Sequence, residues 1–344
     1  MPNRALMTRA QLKARLTKFP RVRMAHLPTP LEEMPRLTKS LEGPRILVKR
    51  EDMTGLVYGG NKARHYEYEM PHIRDEGYDS VINIMDYHSN NARMTAAAAN
   101  KMGMRYVLIL QNARGRPIQG NVLVDKLLGA EMHLLGPEQS GKPAHEYAVK
   151  LKEQMEAEGY KPYLVQDHLF PRVVGMIGFV GAGLELLDQV EELGLDRVHI
   201  FGVAGRSLCG LMLVAKNLGL DWKFTGVTVN YDMPLDSYIF QHADDIKNLM
   251  DLPATFDPAE MRVLDQYVGE GYGIPTAEVL EAVHLAARTD AVILDPNYTG
   301  TVMAALVDQV RKGEVGKDET VIFLHTGGLP AVFTFADELA AWES

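Results

Sequence analysis

One lysine of this sequence stands where its amine could do covalent chemistry. Lys62 follows the glycine-rich run Gly55–Asn61 and opens a helical pattern that begins near Ala63. A lysine held rigidly at a cleft can form a Schiff base with a carbonyl group, and the positive end of a helix should lower its pKa. The alternatives are a surface lysine at a helix start and a nucleotide P-loop. The P-loop fits poorly, because the lysine comes one place late and no Ser or Thr follows it.

Four further segments have the composition of ligand-binding loops. Small polar residues at Ser89–Asn91 precede an alanine-rich helical pattern, where they either cap the helix or leave backbone N–H groups for a carboxylate. Val203–Gly210 joins a predicted strand to a helix, and its N–H groups suit a phosphate, although it lacks dinucleotide spacing. Asp295–Thr301 and His325–Pro330 end the last two predicted strands and either supply hydroxyls to a ligand or form turns.

Strand and helix patterns alternate along almost the whole chain and would position these loops. The predicted strands begin at Arg45, Ser80, Tyr106, Met132, Val198, Phe224, Ala291 and Thr320. Several are almost entirely apolar, as parallel strands covered by helices on both faces must be. We therefore predict a doubly wound α/β fold. Ligands in such folds bind beyond the carboxyl ends of the strands, where these polar loops lie.

Composition excludes several other classes of protein. The 344 residues are 46% hydrophobic with a net charge of −9, which indicates a folded globular chain with no bulk attraction to nucleic acid or anionic membranes. The single cysteine, Cys209, excludes an intrachain disulfide and a cysteine-based zinc site, and we predict no metal. No apolar run approaches the roughly 18 residues of a membrane span, so we expect no membrane association and a cytoplasmic location. The basic first 24 residues favour a solvated helix over a presequence.

Six motifs in one order resemble the fold type II pyridoxal 5'-phosphate (PLP) enzymes. They are LPTPLEEMPRL, LVKREDMTGLVYGGNKARHYEYE, HSNNARMTAAAA, YVGEGYGIPT, ILDPNYTGTVMAAL and HTGGLP, spread from about Leu27 to Pro330. More narrowly, they resemble the group of 1-aminocyclopropane-1-carboxylate (ACC) deaminase, D-cysteine desulfhydrase and cysteate sulfo-lyase. The resemblance implies two open, twisted, mostly parallel sheets covered by helices, as in the tryptophan synthase β-like fold. It also implies a large PLP-binding domain of residues 1–62 and 172–344, a small domain of residues 63–171, and a homodimer.

The same resemblance assigns roles to individual residues. Lys62 would hold PLP in a Schiff base and act as the catalytic base, and Asn90 would donate to the phenolic oxygen of the cofactor. Ser89, Tyr272 and Tyr298 would take part in catalysis near the substrate. The residues implied to bind PLP are Lys62, Asn90, Ala204, Gly205, Arg206, Ser207, Leu208 and Thr326, and those implied to bind substrate are Ser89, Asn90, Asn91 and Tyr298.

The resemblance implies an enzyme, and one position helps to choose the reaction. After the tyrosine of the D-P-x-Y motif, ACC deaminases carry a glutamate that keeps the pyridine nitrogen protonated, whereas this chain has Thr299. A hydroxyl cannot stabilise a pyridinium as a carboxylate does. We therefore expect α,β-elimination from a small amino acid, giving pyruvate and ammonia, as in D-cysteine desulfhydrase or cysteate sulfo-lyase. The alternatives are ACC-type deamination, a racemase or dehydratase on the same scaffold, and a PLP-binding protein without activity.

Several positions depart from the family pattern. Arg206 replaces a glycine of the phosphate loop, and His65 replaces a lysine that the family commonly has near the phosphate. We expect Arg206 to restore the missing cation. Asp86 and Tyr87 replace a Gly-Gly pair, and His88 replaces a glutamine, on the side where the family binds substrate. These changes indicate a substrate with a different charge or bulk at Cβ.

Overall fold

The computed structural model describes residues 4–230, 235–257 and 260–342 of the chain. The strands are β1 (Leu31–Glu33), β2 (Arg45–Lys49), β3 (Ser80–Asp86), β4 (Arg105–Gln111), β5 (Glu131–Leu134), β6 (Pro162–Leu164), β7 (Val198–Val203), β8 (Lys223–Val227), β9 (Met261–Leu264) and β10 (Thr320–Leu324). The helices are α1 (Arg9–Leu16), α2 (Pro35–Leu41), α3 (Lys62–Asp75), α4 (Asn90–Met102), α5 (Gly120–Leu127), α6 (Lys142–Ala157), α7 (Phe170–Glu192), α8 (Arg206–Leu218), α9 (Leu235–Leu249), α10 (Ala277–Asp290), α11 (Thr299–Arg311), α12 (Leu329–Val332) and α13 (Ala336–Ala340).

These strands form two sheets, which confirms the predicted α/β class. The larger sheet has the order β1-β2-β10-β7-β8-β9, and the smaller has the order β5-β4-β3-β6. The pairings are parallel except that β1 runs antiparallel to β2 at the edge of the larger sheet. The central strands are buried over most of their length, which explains their apolar sequences.

One predicted strand is wrong. Residues 291–295 form no strand in the structure. Ala291 ends α10 in the left-handed conformation with φ of 56°, and Asp295 accepts hydrogen bonds from the backbone of the next turn. The segment is short and bounded by two helix ends, so Val292 and Leu294 pack into the core without joining a sheet, while Ile293 is exposed. The short strands β1, β6 and β9 were not predicted, since three or four residues carry too weak a pattern.

The order of the larger sheet brings three of the polar loops together. Strands β2, β10 and β7 are adjacent and parallel, so their carboxyl ends meet at one edge. The loop 54–62 follows β2, the loop 325–328 follows β10, and the loop 204–206 follows β7. This is the edge at which open α/β sheets bind ligands.

Helix α7 lies in the core and supports the helices that begin at this edge. At Gly178 an added Cβ would lie 2.1 Å from the carbonyl oxygen of Arg64, so only glycine lets α7 approach α3 this closely. Within the described ranges, α7 is the one helix long and apolar enough to cross a membrane, and 78% of its most apolar window is buried inside the protein, as in a core helix. The prediction that no apolar stretch reaches this length is therefore wrong. Its glycines and charged residues interrupt the run without lowering its mean hydropathy enough.

A buried cluster of charges fixes α3 against the larger sheet. The Arg64 guanidinium donates to Glu51 at 2.6 Å and to Glu185 at 2.8 Å. Lys49, from β2, donates to the same Glu185 oxygen at 2.6 Å. The Thr29 hydroxyl donates to Glu51 at 2.7 Å. Buried charges require partners of this kind, so the cluster holds the first turn of α3 in place.

Candidate active site

Lys62 is the first residue of α3, where the sequence placed it. Its side chain is half-buried at the edge of the larger sheet. Burial and the positive charge of Arg206 lower the pKa of its amine to about 7. The direction agrees with the sequence prediction, although burial rather than the helix start is the main cause. About half of an amine with this pKa is neutral at pH 7 and can attack a carbonyl carbon.

Contacts with the neighbouring loops hold the segment before Lys62 in place. The Asn61 N–H donates to the carbonyl oxygen of Thr326 at 3.0 Å. Gly327 has φ of +107°, and an added Cβ there would lie 2.8 Å from the Cα of Gly60. The loops that follow β2 and β10 therefore touch through glycine backbone, and this contact requires glycine at position 327.

The start of α8 leaves backbone N–H groups available to an anion. Its N-cap, Gly205, has no side chain to cap the helix. Among the described residues, none accepts a hydrogen bond from the N–H groups of Arg206, Ser207 or Leu208. Ala204 differs, because its N–H donates to the carbonyl oxygen of Val227 at 2.9 Å. Free N–H groups at a helix N-terminus form a binding site for an anion such as a phosphate.

The hydroxyl of Ser207 links this helix start to α3. It accepts from the Asn61 amide at 2.9 Å and lies 3.2 Å from Nε2 of His65. Nδ1 of His65 lies 3.0 Å from the Gly175 carbonyl oxygen, which can only accept, so Nδ1 carries the proton and Nε2 accepts from Ser207. Burial and the charge of Arg206 hold the pKa of His65 well below its usual value. The residue that replaces the family lysine is therefore a neutral hydrogen-bond acceptor.

Arg206 supplies a positive charge beside Lys62. Its guanidinium donates to the carbonyl oxygen of Arg172 at 2.8 Å and lies 3.7 Å from a Glu69 carboxylate oxygen. Its side chain is largely buried. Its charge contributes to the low pKa values of both Lys62 and His65. The structure thus has a cation at the helix start, and contact of Arg206 with a phosphate stays a prediction.

The Ser89–Asn91 segment forms the start of α4. Ser89 is its N-cap, and its hydroxyl accepts from the Ala92 N–H at 3.2 Å and donates to the Met85 sulfur at 3.2 Å. Because a thioether is a weak acceptor, the Ser89 O–H can readily turn toward a better hydrogen-bond acceptor. The Asn91 amide oxygen accepts from the Tyr66 hydroxyl at 2.7 Å, so only part of its side chain remains for a substrate.

Two tyrosines predicted to face the substrate are paired. The hydroxyl oxygens of Tyr272 and Tyr298 lie 2.7 Å apart. Burial raises the pKa of both hydroxyls, and the negative charge of Asp86 adds to the effect. Both are therefore protonated at neutral pH. One proton lies between the two oxygens, which leaves a second O–H to donate elsewhere.

Thr299 has its hydroxyl engaged within the protein. The side chain is fully buried. Its hydroxyl oxygen accepts from the Asp295 N–H at 2.9 Å and lies 3.1 Å from the Asp295 carboxylate. That carboxylate also accepts from the backbone N–H groups of Asn297 and Tyr298. Burial raises the pKa of Asp295 to about 6. The hydroxyl at the position where ACC deaminases carry a glutamate is thus engaged with Asp295, whose carboxylate accepts from the N–H groups just before α11.

These positions fit PLP as a bound group. Lys62 offers a reactive amine to the aldehyde, and the start of α8 offers N–H groups to the phosphate. The half-buried Asn90 has an amide nitrogen that donates to no residue within the ranges the structure describes. Thr326 is half-buried beside the Lys62 loop and is placed to contribute its hydroxyl.

Some residues that organise the site were not predicted from the sequence. Asn61 donates to Ser207, and Asn121 donates to the Asn90 amide oxygen at 2.8 Å. Arg93 donates to the carbonyl oxygens of Val57 and Gly59 in the loop before Lys62. Asn61 lies inside a recognised motif, so its place next to the lysine was a usable signal. Asn121 lies in no motif, and its sequence context gives no signal of its role.

Comparisons with known proteins identify the family of the chain. A family model described as pyridoxal-phosphate dependent enzyme matches residues 22–327. A putative 1-aminocyclopropane-1-carboxylate deaminase of Pyrococcus abyssi is 34% identical over 96% of this chain and 98% of its own. A D-cysteine desulfhydrase of Salmonella typhi is 33% identical over 93% of this chain and 97% of its own.

Solved structures give the same result for the fold. The crystal structure of an ACC deaminase homologue, 31% identical, has a TM-score of 0.84 and covers 97% of this chain and 99% of its own. Threonine deaminase isoform 2 of Solanum lycopersicum, at 18% identity, has a TM-score of 0.64 over 99% of this chain and 97% of its own, and it supports the fold alone. The family resemblance, the fold type and the cofactor predicted from the motifs are thereby confirmed. The chain belongs to the pyridoxal-phosphate dependent enzymes, and PLP is its cofactor.

Proposed function

We propose that this enzyme is a lyase that eliminates a leaving group from Cβ of a small amino acid. The products of such an α,β-elimination are the leaving group, pyruvate and ammonia. D-cysteine and cysteate are the substrates we favour, with thiolate and sulfite as the respective leaving groups. The similarity to a D-cysteine desulfhydrase supports this reaction, and Thr299 is the observation that carries it.

The surroundings of Thr299 favour a good leaving group. A glutamate at this position would offer a carboxylate to the pyridine nitrogen and would keep that nitrogen protonated. Thr299 instead directs its hydroxyl to Asp295, whose carboxylate accepts from the start of α11. When bound, PLP supplies an electron sink for negative charge at Cα, and a less protonated ring is a weaker sink. Expelling thiolate or sulfite needs less help from the sink than opening a cyclopropane ring.

Lys62 would both hold the cofactor and move the Cα proton. Its amine has a pKa of about 7, so a large share of it is neutral at physiological pH and can accept a proton. The contacts of Asn61 with Thr326 and Ser207 fix the backbone that carries it. A fixed base next to the reacting carbon reduces the entropy cost of proton transfer.

The remaining predicted residues would bind and orient. The start of α8, Ala204–Leu208, would hold the phosphate, and we propose that Arg206 adds the cation that the family commonly has at position 65. Asn90 would donate to the phenolic oxygen of PLP. Thr326 would lie near the pyridine nitrogen.

The substrate side would be formed by α4 and the tyrosine pair. Ser89, Asn90 and Asn91 would bind the carboxylate of the substrate, and Ser89 can redirect its proton from the weak Met85 acceptor. Tyr272 and Tyr298 stay protonated and would donate to the group that leaves Cβ.

We also propose the organisation that the family resemblance implies. Residues 1–62 and 172–344 would form the large domain, and residues 63–171 the small one. The two sheets support this division, because β2, β7 and β10 belong to the larger sheet and β3 to β6 to the smaller one. A cytoplasmic homodimer would complete the enzyme.

A substrate panel tests the proposed reaction. Purified enzyme is incubated with D- and L-cysteine, cysteate, β-chloroalanine, serine and ACC, and each keto acid is identified by chromatography, with the Lys62→Ala variant as control. Pyruvate from D-cysteine or cysteate, absent with Lys62→Ala, supports the proposal. Release of 2-oxobutyrate from ACC would replace it by the deaminase reaction. Pyruvate from serine alone would indicate a dehydratase. Inversion of the amino acid without any keto acid would indicate a racemase, and no product from any compound would indicate an inactive protein.

A further inference from the structure

We infer that Asn121 is a positioning residue that fixes which end of the Asn90 amide faces PLP. The inference rests on the proposed role of Asn90, which must present its amide nitrogen to act as a donor to the phenolic oxygen. An asparagine side chain can rotate by half a turn and exchange its oxygen and nitrogen. A half-turn would replace a donor by an acceptor and abolish the contact.

The orientation of Asn121 itself is fixed by a group that can only donate. Nε of Arg93 lies 3.0 Å from the Asn121 amide oxygen, and a guanidinium has no acceptor. On its other side, the Asn121 nitrogen lies 3.2 Å from the carbonyl oxygen of His88, which can only accept. Two independent neighbours therefore require the same orientation of Asn121.

Asn121 passes this orientation on to Asn90. Its nitrogen donates to the Asn90 amide oxygen at 2.8 Å. A half-turn of Asn90 would bring two N–H donors face to face inside a site where Asn121 is 2% exposed and Arg93 is fully buried. An unpaired buried donor costs free energy, so Asn90 keeps its oxygen on Asn121 and its nitrogen toward the cleft.

Further contacts hold the relay of Arg93, Asn121 and Asn90 in place. Arg93 also donates to the Gly59 carbonyl oxygen at 3.2 Å, which ties the relay to the loop before Lys62. Asn121 is the second residue of α5, and Gly120 before it has φ of +56°, with space for no Cβ beside Pro330 and Thr334. The relay thus joins three loops of the site through one buried amide.

The isosteric variant Asn121→Asp should reverse the orientation of the Asn90 amide. Its carboxylate still accepts from Arg93 but cannot donate to Asn90. Asn90 should then rotate to donate to Asp and place its oxygen toward the phenolic oxygen of PLP. We expect PLP to bind about 10- to 100-fold more weakly, as for a lost hydrogen bond that becomes a repulsive contact. The absorption spectrum of the bound cofactor and its pH dependence should also change.

The order of two variants separates positioning from packing. Asn121→Ala removes the side chain and leaves a cavity, so a purely structural role predicts that it lowers the thermal midpoint of the apoprotein and PLP affinity more than Asn121→Asp does. The relay predicts the opposite order for PLP affinity. Asn100→Asp is the matched control, because Asn100 also donates to a carbonyl oxygen, that of Leu128, on the exposed end of α4.

The test is completed in an Asn90→Ala background, by titrating PLP into each apoprotein and recording spectra. The inference requires that Asn121→Asp weakens PLP binding when Asn90 is present. In the Asn90→Ala background the same substitution should have little further effect. Equal weakening in both backgrounds, or an unchanged spectrum in Asn121→Asp, would overturn it. If Asn90→Ala alone leaves affinity and spectrum unchanged, the proposed role of Asn90 is wrong, and the relay is overturned with it. Should Asn121→Asp fail to fold, an Asn121→Ala variant that binds PLP with unchanged spectrum and affinity would also overturn the inference.

Discussion

Replacing Arg206 by glutamine should raise the pKa of Lys62 and slow its reaction with an aldehyde at neutral pH. The amine has a pKa of about 7, and Arg206 is the largest cause after burial. Removing one nearby like charge should raise this pKa by about one unit. The neutral share at pH 7 would then fall from about one half to about one tenth, whereas at pH 9 more than about nine tenths stays neutral in both proteins. The reaction should therefore slow about fivefold at pH 7 and hardly at all at pH 9.

The assay uses pyridoxal rather than PLP, so that any change in phosphate binding does not contribute. Apoprotein is mixed with pyridoxal at a series of pH values, and the rate of Schiff-base formation is followed by absorbance. Arg197→Gln is the control, because it removes the same charge from an exposed side chain that pairs with Asp318. A midpoint that does not move in Arg206→Gln would refute the electrostatic reasoning. A wild-type midpoint near the usual lysine value of about 10.4 would refute the buried amine itself.

Two further predictions concern buried charge. Glu51→Gln should lower the free energy of unfolding in urea by about 3–5 kcal/mol, because it leaves Arg64 short of a buried partner, while Glu32→Gln at an exposed pair should cost less than about 1 kcal/mol. Equal losses would contradict this difference. Burial raises the pKa of Asp125 to about 8, and its carboxylate oxygens have no hydrogen-bond partner within the described residues, so the folded state binds more protons than the unfolded one and loses stability as pH rises from about 4 to 8. Asp125→Asn should therefore stabilise the protein more at pH 8 than at pH 5, and a gain equal at both pH values would count against this.

The sequence contained enough to place the main elements and the loops of the site. Lys62, Ser89 and the start of α8 were predicted at helix starts because glycine and small polar residues mark such positions locally. The meeting of Lys62 and the start of α8 at one edge of the larger sheet follows from a general property of parallel sheets, whereas Ser89 follows β3 of the smaller sheet. Their chemical roles came from the order of six motifs, since each loop alone also fits a turn or a cap.

The errors arise where tertiary structure decides. Residues 291–295 have a strand-like composition, yet two helix ends set their backbone. The apolar stretch of α7 is interrupted by glycines, and two of them, Gly175 and Gly178, allow its close contact with α3. Asn121 contacts Asn90 across 31 positions of the chain, and such a pairing leaves no local pattern.

Mapping the covalent attachment of the cofactor tests the central claim most directly. Enzyme purified with PLP is reduced with borohydride, digested and analysed by mass spectrometry, with Lys62→Ala treated in parallel. The account predicts a phosphopyridoxyl group on the peptide that contains Lys62 and none in the variant. The same group on a different lysine, or equal labelling of the variant, would contradict it.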